Sequence, residues 1–406
     1  MKQRSALLPI FLIVLVDVLG FTIVIPLLGL YAEKFGATPL VATTLVSVYA
    51  VCSLISTPII GRLSDQYGRK PLLMISQAGT CAGFVMLGLS NALWMVFVGR
   101  ILDGFTAGNL SIAQAYISDH TAPEDRAKAF GVIGIAFGIG FMFGPALGGW
   151  LGKGYGMHMP FVIAACLSAI SIFCTYTLLP AEPPKLASAP AGDVGPGGRR
   201  PGAFDWETYA EYFRRPGLLA LYGQFFLFSF AFSCFFSGFA LYAERKFTTS
   251  DGKPWGGAEV GYLFAYTGLL GIILQGGLLG RLVKKVGELK LTILGFIAAA
   301  IAYLLVGLAD TLLLLIAGAT VGAFGNGVLR PVITSRLTQS VGRHEQGVAI
   351  GISGSLSSVA MALAPPSGGA MINEHWLLAW ALIPASAVAL GLIATLAWPG
   401  AKRAGG

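Results

Sequence analysis

Long apolar runs alternate with short polar gaps along the whole chain, and this pattern limits the fold more than any single motif does. The runs are about 20 residues long, the length that a helix needs to cross roughly 30 Å of hydrocarbon. Of the 406 residues, 55% are hydrophobic and 11% are charged, whereas a soluble domain carries about a quarter of its residues charged. The sequence therefore predicts an all-α integral membrane protein.

Twelve transmembrane helices are predicted from the apolar runs. They cover residues 7–30, 40–61, 71–90, 92–117, 128–151, 158–179, 217–243, 257–280, 289–308, 312–337, 347–371 and 376–398. The first run is interpreted as a retained helix that directs insertion, with a removable leader as the alternative. Twenty of the 27 Lys and Arg residues lie at the termini or in loops after even-numbered spans. The positive-inside rule thus predicts cytoplasmic termini. The membrane is expected to be an inner (plasma) membrane.

The charge and the reactive side chains argue against several other classes of protein. The net charge of +8 is explained by topology and by anionic lipid headgroups, so no nucleic-acid partner is expected. All five cysteines fall inside predicted spans and the four histidines lie at loop edges. No Ser/His, Cys/His or HExxH arrangement and no metal-ligand spacing is present, so we expect no enzyme, metal or cofactor.

The chain divides into two related halves. A stretch rich in Pro and Gly predicts a linker at 181–216 between a bundle at 1–180 and a bundle at 217–406, and its aromatic end at 204–215 predicts a short interfacial helix. The pattern Gly-Arg-Leu-x-x-x-x-Gly occurs at 61–68 and again at 280–287. Such repeats are typical of transporters in which two pseudo-symmetric six-helix bundles move around a central site.

A charged loop joins the second and third spans. It contains Gly61, Asp65, Gly68, Arg69 and Lys70. The glycines permit close approach and a tight turn, and the charges can latch neighbouring helices, with a solvated turn as the alternative. This segment resembles the signature loop of the major facilitator superfamily, and the resemblance implies a gating latch that includes Asp119 after span four. Lys284 replaces the aspartate in the second copy, so the latch is expected in the first half alone.

Ionisable residues lie inside two spans. Arg100 and Asp103 share one face of span four, and Asp17 lies roughly 15 Å into span one at a similar depth. A charge near the bilayer centre costs about 2.5–3.5 kcal/mol, so these groups are expected to face the bundle and to bind protons. The alternatives are a pair that only fixes packing and an Asp17 that only hydrogen-bonds a neighbouring helix. The span-four segment resembles the family motif whose Arg is linked to proton coupling.

Span five carries a seam of small residues with one proline. Its members are Gly131, Gly140, Gly144, Pro145, Gly148 and Gly149. Small residues let helices pack closely. The spacing resembles the antiporter motif of proton-exchanging exporters in the superfamily, which favours export over import.

Together these motifs resemble the twelve-span drug:proton antiporter family, and in particular its tetracycline-efflux-like branch. Tetracycline exporters carry an acidic residue in span three, and residues 71–90 contain none, so a metal–tetracycline complex is not expected as the substrate. An aromatic series on span seven favours amphiphilic or drug-like molecules, although phenylalanine also serves packing and lipid contact. Predicted substrate contacts are Gln114, Gln224, Phe228, Phe232, Gln275, Asn326 and Arg330.

The sequence therefore predicts a monomeric, proton-coupled antiporter that exports small molecules by alternating access in a lipid membrane. Two alternatives remain open. A proton-coupled importer or facilitator of sugars or metabolites has the same fold, and a lipid flippase can use an apolar cavity for lipid tails.

Overall fold

A computed structural model describes residues 2–120, 126–180, 206–342 and 345–398. Within these ranges the chain is helical, apart from connecting turns and one isolated bridge between Thr248 and Pro254. The helices are α1 (Lys2–Glu33), α2 (Pro39–Tyr67), α3 (Arg69–Gly88), α4 (Leu93–Phe105), α5 (Asn109–His120), α6 (Arg126–Tyr155), α7 (Met159–Leu178), α8 (Trp206–Arg214), α9 (Pro216–Lys246), α10 (Gly257–Ile273), α11 (Leu279–Val286), α12 (Glu288–Gly307), α13 (Leu312–Gln339), α14 (Gln346–Asn373) and α15 (Leu377–Ala397). A π-helical turn, Leu274–Leu278, joins α10 to α11.

Among the described residues, eleven helices are long and apolar enough to cross a membrane, with α10, the π-helical turn and α11 counted as one. They correspond to eleven of the twelve predicted spans. The predicted span at 92–117 is different, because it is divided into α4 and α5 by a break at 106–108. Neither half alone reaches the length of a span, and together they account for the twelfth crossing.

Side-chain hydroxyls from α2 and α3 satisfy the backbone at this break. Ser76 donates to the Thr106 carbonyl and accepts from the Gly108 amide at 2.9 Å. Thr57 donates to the Ala107 carbonyl at 2.8 Å. A backbone polar group without a partner is costly in hydrocarbon, so an interrupted helix is tolerated where neighbouring side chains replace the missing bonds.

The contacts divide the chain into two compact units. Of the described residues, one unit contains 2–27, 48–120 and 126–180, and the other contains 28–47, 206–342 and 345–398. The short segment 28–47, which holds the end of α1 and the start of α2, therefore belongs with the second unit. The domain boundaries predicted at 180 and 217 stay a prediction, and residues 181–205 of the predicted linker lie outside the described residues.

The helix α8, predicted at the end of the linker, packs on protein. Tyr212 is 4% exposed and belongs to a cluster with Leu218 and Tyr222 of α9. The neighbouring Arg215 donates to Glu345 at 3.1 Å and to Glu211 at 2.8 Å. These hydrogen bonds raise the pKa of the Arg215 guanidinium. The helix is therefore fixed to the second unit by an apolar anchor and an ion pair.

The local structure of the two halves repeats at the predicted positions. Gly68 precedes α3 with φ 98° and ψ 151°, and Gly287 precedes α12 with φ 85° and ψ 151°. These angles are open to glycine and costly for residues with a Cβ. The recurring glycine thus marks the same turn in both copies.

Candidate functional site

Arg100 and Asp103 form a buried ion pair on α4. Nη1 of Arg100 lies 2.7 Å from Oδ2 of Asp103, and the two side chains are 0% and 5% exposed. The guanidinium also lies over the ring of Tyr49, 4.4 Å from its centroid. Its Nε and Nη2 atoms are buried without a hydrogen-bond partner. The charge of Arg100 is therefore balanced by one carboxylate and one aromatic face, and two of its donor nitrogens are unused.

Close packing holds this pair against α2. A Cβ at Gly104 would lie 2.7 Å from the Tyr49 carbonyl oxygen and from the Cys52 Cβ. Ser56 donates to the Gly104 carbonyl at 2.9 Å. Since a glycine is required at this crossing, α4 cannot rotate without disturbing the helix that carries Tyr49.

Asp17 lies in a different group of side chains from the ion pair. Its polar neighbours are Gln77 on α3, Asn109 on α5 and Ser171 on α7, and Asp103 is close enough to act on it electrostatically. Gln77 donates from Nε2 to Ser171 Oγ at 2.7 Å. The structure therefore places Asp17 among neutral polar side chains and within electrostatic reach of Asp103.

Three acceptor oxygens in this group lack a donor. They are Asp17 Oδ1, Gln77 Oε1 and Asn109 Oδ1, and each is buried. Gln77 as a whole is 0% exposed. Buried acceptors of this kind are costly unless a proton or another donor reaches them.

Arg69 joins the residues of the predicted latch. It forms an ion pair with Asp65 of α2, donates from Nε to Asp119 of α5 at 3.0 Å, and donates from Nη1 to Ser64 at 2.5 Å. Arg69 and Asp119 are each 12% exposed, whereas Asp65 is 49% exposed. One guanidinium on α3 therefore holds both α2 and α5.

The other members of the signature loop have separate contacts. Lys70 donates to the carbonyls of Tyr176 and Leu179 at 2.7 and 2.6 Å. It thus caps the C-terminus of α7, where a cation is favoured by the helix dipole. Gly61 would meet nothing within 4 Å if it carried a Cβ. Among the described residues, no neighbour makes use of the close approach that a glycine at position 61 permits.

The second copy of the loop has the opposite charge at the corresponding positions. Glu288 stands where Arg69 stands in the first copy, as Lys284 stands for Asp65. Glu288 Oε1 accepts from Ser335 at 2.6 Å and from Gln339 at 2.9 Å, both on α13. In the second copy, Glu288 is therefore held by a hydroxyl and an amide, whereas in the first copy Arg69 is held by two carboxylates.

The predicted small-residue seam packs on α1. A Cβ at Gly144 would lie 2.0 Å from Thr22 Oγ1, and one at Gly148 would lie 2.7 Å from the Ile23 carbonyl. Thr22 donates to the Gly140 carbonyl at 2.8 Å. The remaining members lie in α6, where Pro145 is inside the helix, Gly149 is buried and Gly131 is in its first turns.

The predicted substrate residues differ in how much surface they expose. Gln224 is 0% exposed and accepts from Arg336 at 3.3 Å. Phe228 is 4% exposed and belongs to a core cluster of the second unit. Phe232 is half-buried, and its ring centroid lies 6.1 Å from that of Phe228.

The other four predicted substrate residues have accessible surface. Gln275 is exposed in the π-helical turn and donates to the Gly327 carbonyl at 3.4 Å. Asn326 accepts from the Tyr303 hydroxyl at 3.1 Å, and Arg330 is exposed one turn further along α13. Gln114 is half-buried on α5. The substrate contacts of all seven residues stay predictions.

Several polar residues of these clusters were not found from the sequence. They are Tyr49, Ser64, Gln77, Asn109 and Ser171. Gln77 could have been found, because a carboxamide within an apolar run needs a partner. A serine in a helix gives no such signal, since its hydroxyl can bond to its own backbone. A tyrosine gives none either, since its ring packs as an apolar group. Among the described residues, no group of three or more His, Cys, Asp or Glu is placed to hold a metal ion.

Comparison with known proteins gives a consistent result. The family profile of the Major Facilitator Superfamily matches residues 10–365 and 255–404. The tetracycline resistance protein, class B, of Escherichia coli is 30% identical over 384 residues, which cover 91% of this chain and 88% of that protein. The class D protein of Salmonella ordonez is 30% identical over 357 residues, with 87% and 86% covered. The crystal structure of the human organic anion transporter MFSD10 (TETRAN) aligns with a TM-score of 0.73 and 22% identity over 97% of this chain and 99% of that one.

Proposed function

Because the chain belongs to the major facilitator superfamily, we propose that it is a proton-coupled antiporter that exports small amphiphilic or drug-like molecules by alternating access. The observation that carries the proposal is the pair of acidic side chains within the apolar helices, Asp17 and Asp103, in a chain whose relatives include tetracycline resistance proteins. The antiporter seam on α6 supports export.

Asp17 and Asp103 are the groups that take up and release protons, and Arg100 tunes them. The 2.7 Å bond to Arg100 favours the charged form of Asp103. Gln77, Asn109 and Ser171 beside Asp17 are neutral and Asp103 is acidic, so a proton on Asp17 removes a buried charge that has no cation among these neighbours. A change in the distance between these groups alters how strongly each binds a proton, which links proton uptake to movement of α1 and α4.

Arg69, Asp65 and Asp119 form the gate latch, with Lys70 holding α7 and Gly68 forming the turn. Asp65 is 49% exposed, so its ion pair with Arg69 contributes little and can break during a transport cycle. The pair of Arg69 with Asp119 is mostly buried and holds α5 more firmly. The seam of Gly140, Gly144 and Gly148 keeps α6 against the helix that carries Asp17.

The cargo is bound by residues that have accessible surface. Gln114, Phe232, Gln275, Asn326 and Arg330 meet this condition, whereas Gln224 and Phe228 need a rearrangement first. The helix α3 contains no Asp or Glu, so we propose a cargo that is not a metal chelate.

We also propose the setting in which the protein works. It is a multi-pass protein of an inner (plasma) membrane, with both termini in the cytoplasm and surrounded by lipid. It acts as a monomer without a cofactor, nucleic-acid partner or catalytic activity. Most Lys and Arg residues lie at the termini and in the loops after even-numbered spans, and this distribution supports the orientation.

Purified protein in proteoliposomes tests the proposal. An imposed pH gradient should drive ethidium across the membrane against its own gradient, and proton counterflow should be seen with a trapped pH dye. Asp17→Asn should abolish both, while Asp251→Asn in an exposed loop should leave both unchanged. Cargo that moves in the same direction as protons would indicate an importer. Movement of a labelled lipid without ethidium flux would indicate a flippase.

A further inference from the structure

The polar groups around Asp17 come from three helices besides its own. Gln77 lies on α3, Asn109 on α5 and Ser171 on α7. Ser171 accepts from Gln77 at 2.7 Å and lies 3.4 Å from the Ile13 carbonyl, to which it donates. The backbone carbonyl of Gln77 accepts from Ser168 at 3.2 Å. Gln77 is thus fixed at both its side chain and its backbone, directly beside the carboxyl group.

A carboxylate and a carboxylic acid need opposite partners. The ionised form of Asp17 accepts hydrogen bonds at both oxygens, whereas the protonated form must donate one. A carboxamide serves either form, because its NH₂ donates and its oxygen accepts. The amide oxygens of Gln77 and Asn109, like Asp17 Oδ1, are buried without a donor. A proton on Asp17 gives a donor to one of the two amide oxygens. In the ionised state, an amide that rotates turns its NH₂ group toward the carboxylate.

On the basis of the proposed function, we infer that Gln77 and Asn109 are positioning residues that set the proton affinity of Asp17. They hold no proton themselves. They stabilise the carboxylate by donating from nitrogen and the acid by accepting at oxygen, so that each protonation state of Asp17 has a matching partner. Among the described residues, Asp103 on α4 is the charged group that acts on Asp17, and it is itself paired with Arg100.

The direction of the effect follows from bond strength. A hydrogen bond to an ionised acceptor is about twice as strong as a neutral one. Loss of the amide therefore disfavours the carboxylate more than the acid, and Asp17 keeps its proton to higher pH. Gln77→Met, which retains side-chain length, should move the pH midpoint of proton-driven exchange upward by about one unit, a tenfold gain in proton affinity.

The experiment compares the pH dependence of ethidium exchange in proteoliposomes for the wild type, Gln77→Met and Asn109→Ala. Thr177→Val serves as the control, because Thr177 is exposed on α7 and bonds only its own helix. Both test variants should shift the midpoint and the control should not. A midpoint equal to that of the wild type, with or without a loss of thermal stability, overturns the inference. Asn109→Ala, at a half-buried position, gives the same test if Gln77→Met does not fold.

Infrared titration of the solubilised protein is independent of transport. The protonated carboxyl band that is present in the wild type and absent from Asp17→Asn should move to higher frequency in Gln77→Met, because the acid has lost its acceptor. An unmoved band overturns the inference. If the wild type shows no exchange at all, the proposed function fails and the infrared result alone decides the role of Gln77. If Asp17→Asn abolishes exchange but Gln77→Met keeps both midpoint and band, only this inference fails.

Discussion

Nη1 of Arg100 lies 2.7 Å from Oδ2 of Asp103, one helical turn away, and neither side chain is more than 5% exposed. Each charge makes the burial of the other possible. Breaking such a pair by removing one partner is much more costly than replacing both, because the remaining charge has no counter-ion. The two residues therefore have to be tested together as well as separately.

Asp103→Asn should lower the thermal stability of the purified protein, by about 3 kcal/mol, because it leaves the Arg100 guanidinium buried without an anion. The double variant Arg100→Gln with Asp103→Asn should recover most of that loss. Proton-driven exchange should be absent from both variants, since both lack the titrating group. A single variant that is as stable as the wild type would show that water or another residue already balances Arg100.

The contact between α6 and α1 depends on glycine at defined positions. Gly144→Ala would place a Cβ 2.0 Å from Thr22 Oγ1 and 2.7 Å from Thr22 Cβ. The overlap should destabilise the protein by about 1–3 kcal/mol and slow exchange, because α1 carries Asp17. Thermal unfolding and dye flux measure the two effects.

Gly134→Ala is the matched control on the same helix, since its Cβ would meet nothing within 4 Å. It should leave flux unchanged and raise stability slightly, because alanine is the better helix former. Equal effects at positions 134 and 144 would contradict the packing role of the seam. Thr22→Ala added to Gly144→Ala should restore part of the stability by removing the overlapping oxygen.

The two glycines of the signature loop should respond differently to alanine. Gly68 has φ 98°, so Gly68→Ala should cost about 1–2 kcal/mol through backbone strain. Gly61 lies within α2 and has no neighbour near a Cβ, so Gly61→Ala should be neutral or slightly stabilising. Thermal unfolding of the two variants provides the measurement. A costly Gly61→Ala would indicate a close approach in another state of the transport cycle.

The fold was predictable because its signals are long and redundant. Each span repeats its apolar character over about 20 residues, and the turn at Gly68 is repeated at Gly287. The break between α4 and α5 was not predictable, because it depends on hydroxyls of Ser76 and Thr57 that are distant in sequence. A local pattern contains no information on which helix supplies them.

The candidate site was predictable to the extent that charge identifies it. Asp17, Arg100 and Asp103 stand out because ionisable groups are expensive in a membrane. Their grouping did not follow from depth alone, since Asp17 lies beside Gln77 while Arg100 lies beside Tyr49. Rotation of each helix about its axis decides these neighbours, and that rotation is set by packing at glycines such as Gly104.

The role of the Arg69 latch differs from that of a structural ion pair in its effect on rate. Arg69 holds Asp65, which is 49% exposed, and Asp119, which is 12% exposed, and the exposed bond contributes about 1 kcal/mol or less. Arg69→Gln should therefore lower thermal stability less than Asp103→Asn does, because only one of its two ion pairs is mostly buried. A bias of about 1 kcal/mol between two states of the transport cycle nevertheless alters their ratio about fivefold, so exchange should slow by a similar factor.

Arg281→Gln, at the exposed arginine of the second copy, is the control and should exchange at the wild-type rate. Asp119→Asn should reproduce the Arg69→Gln phenotype, because it removes the same 3.0 Å bond, and a wild-type rate in both would exclude the latch from the cycle.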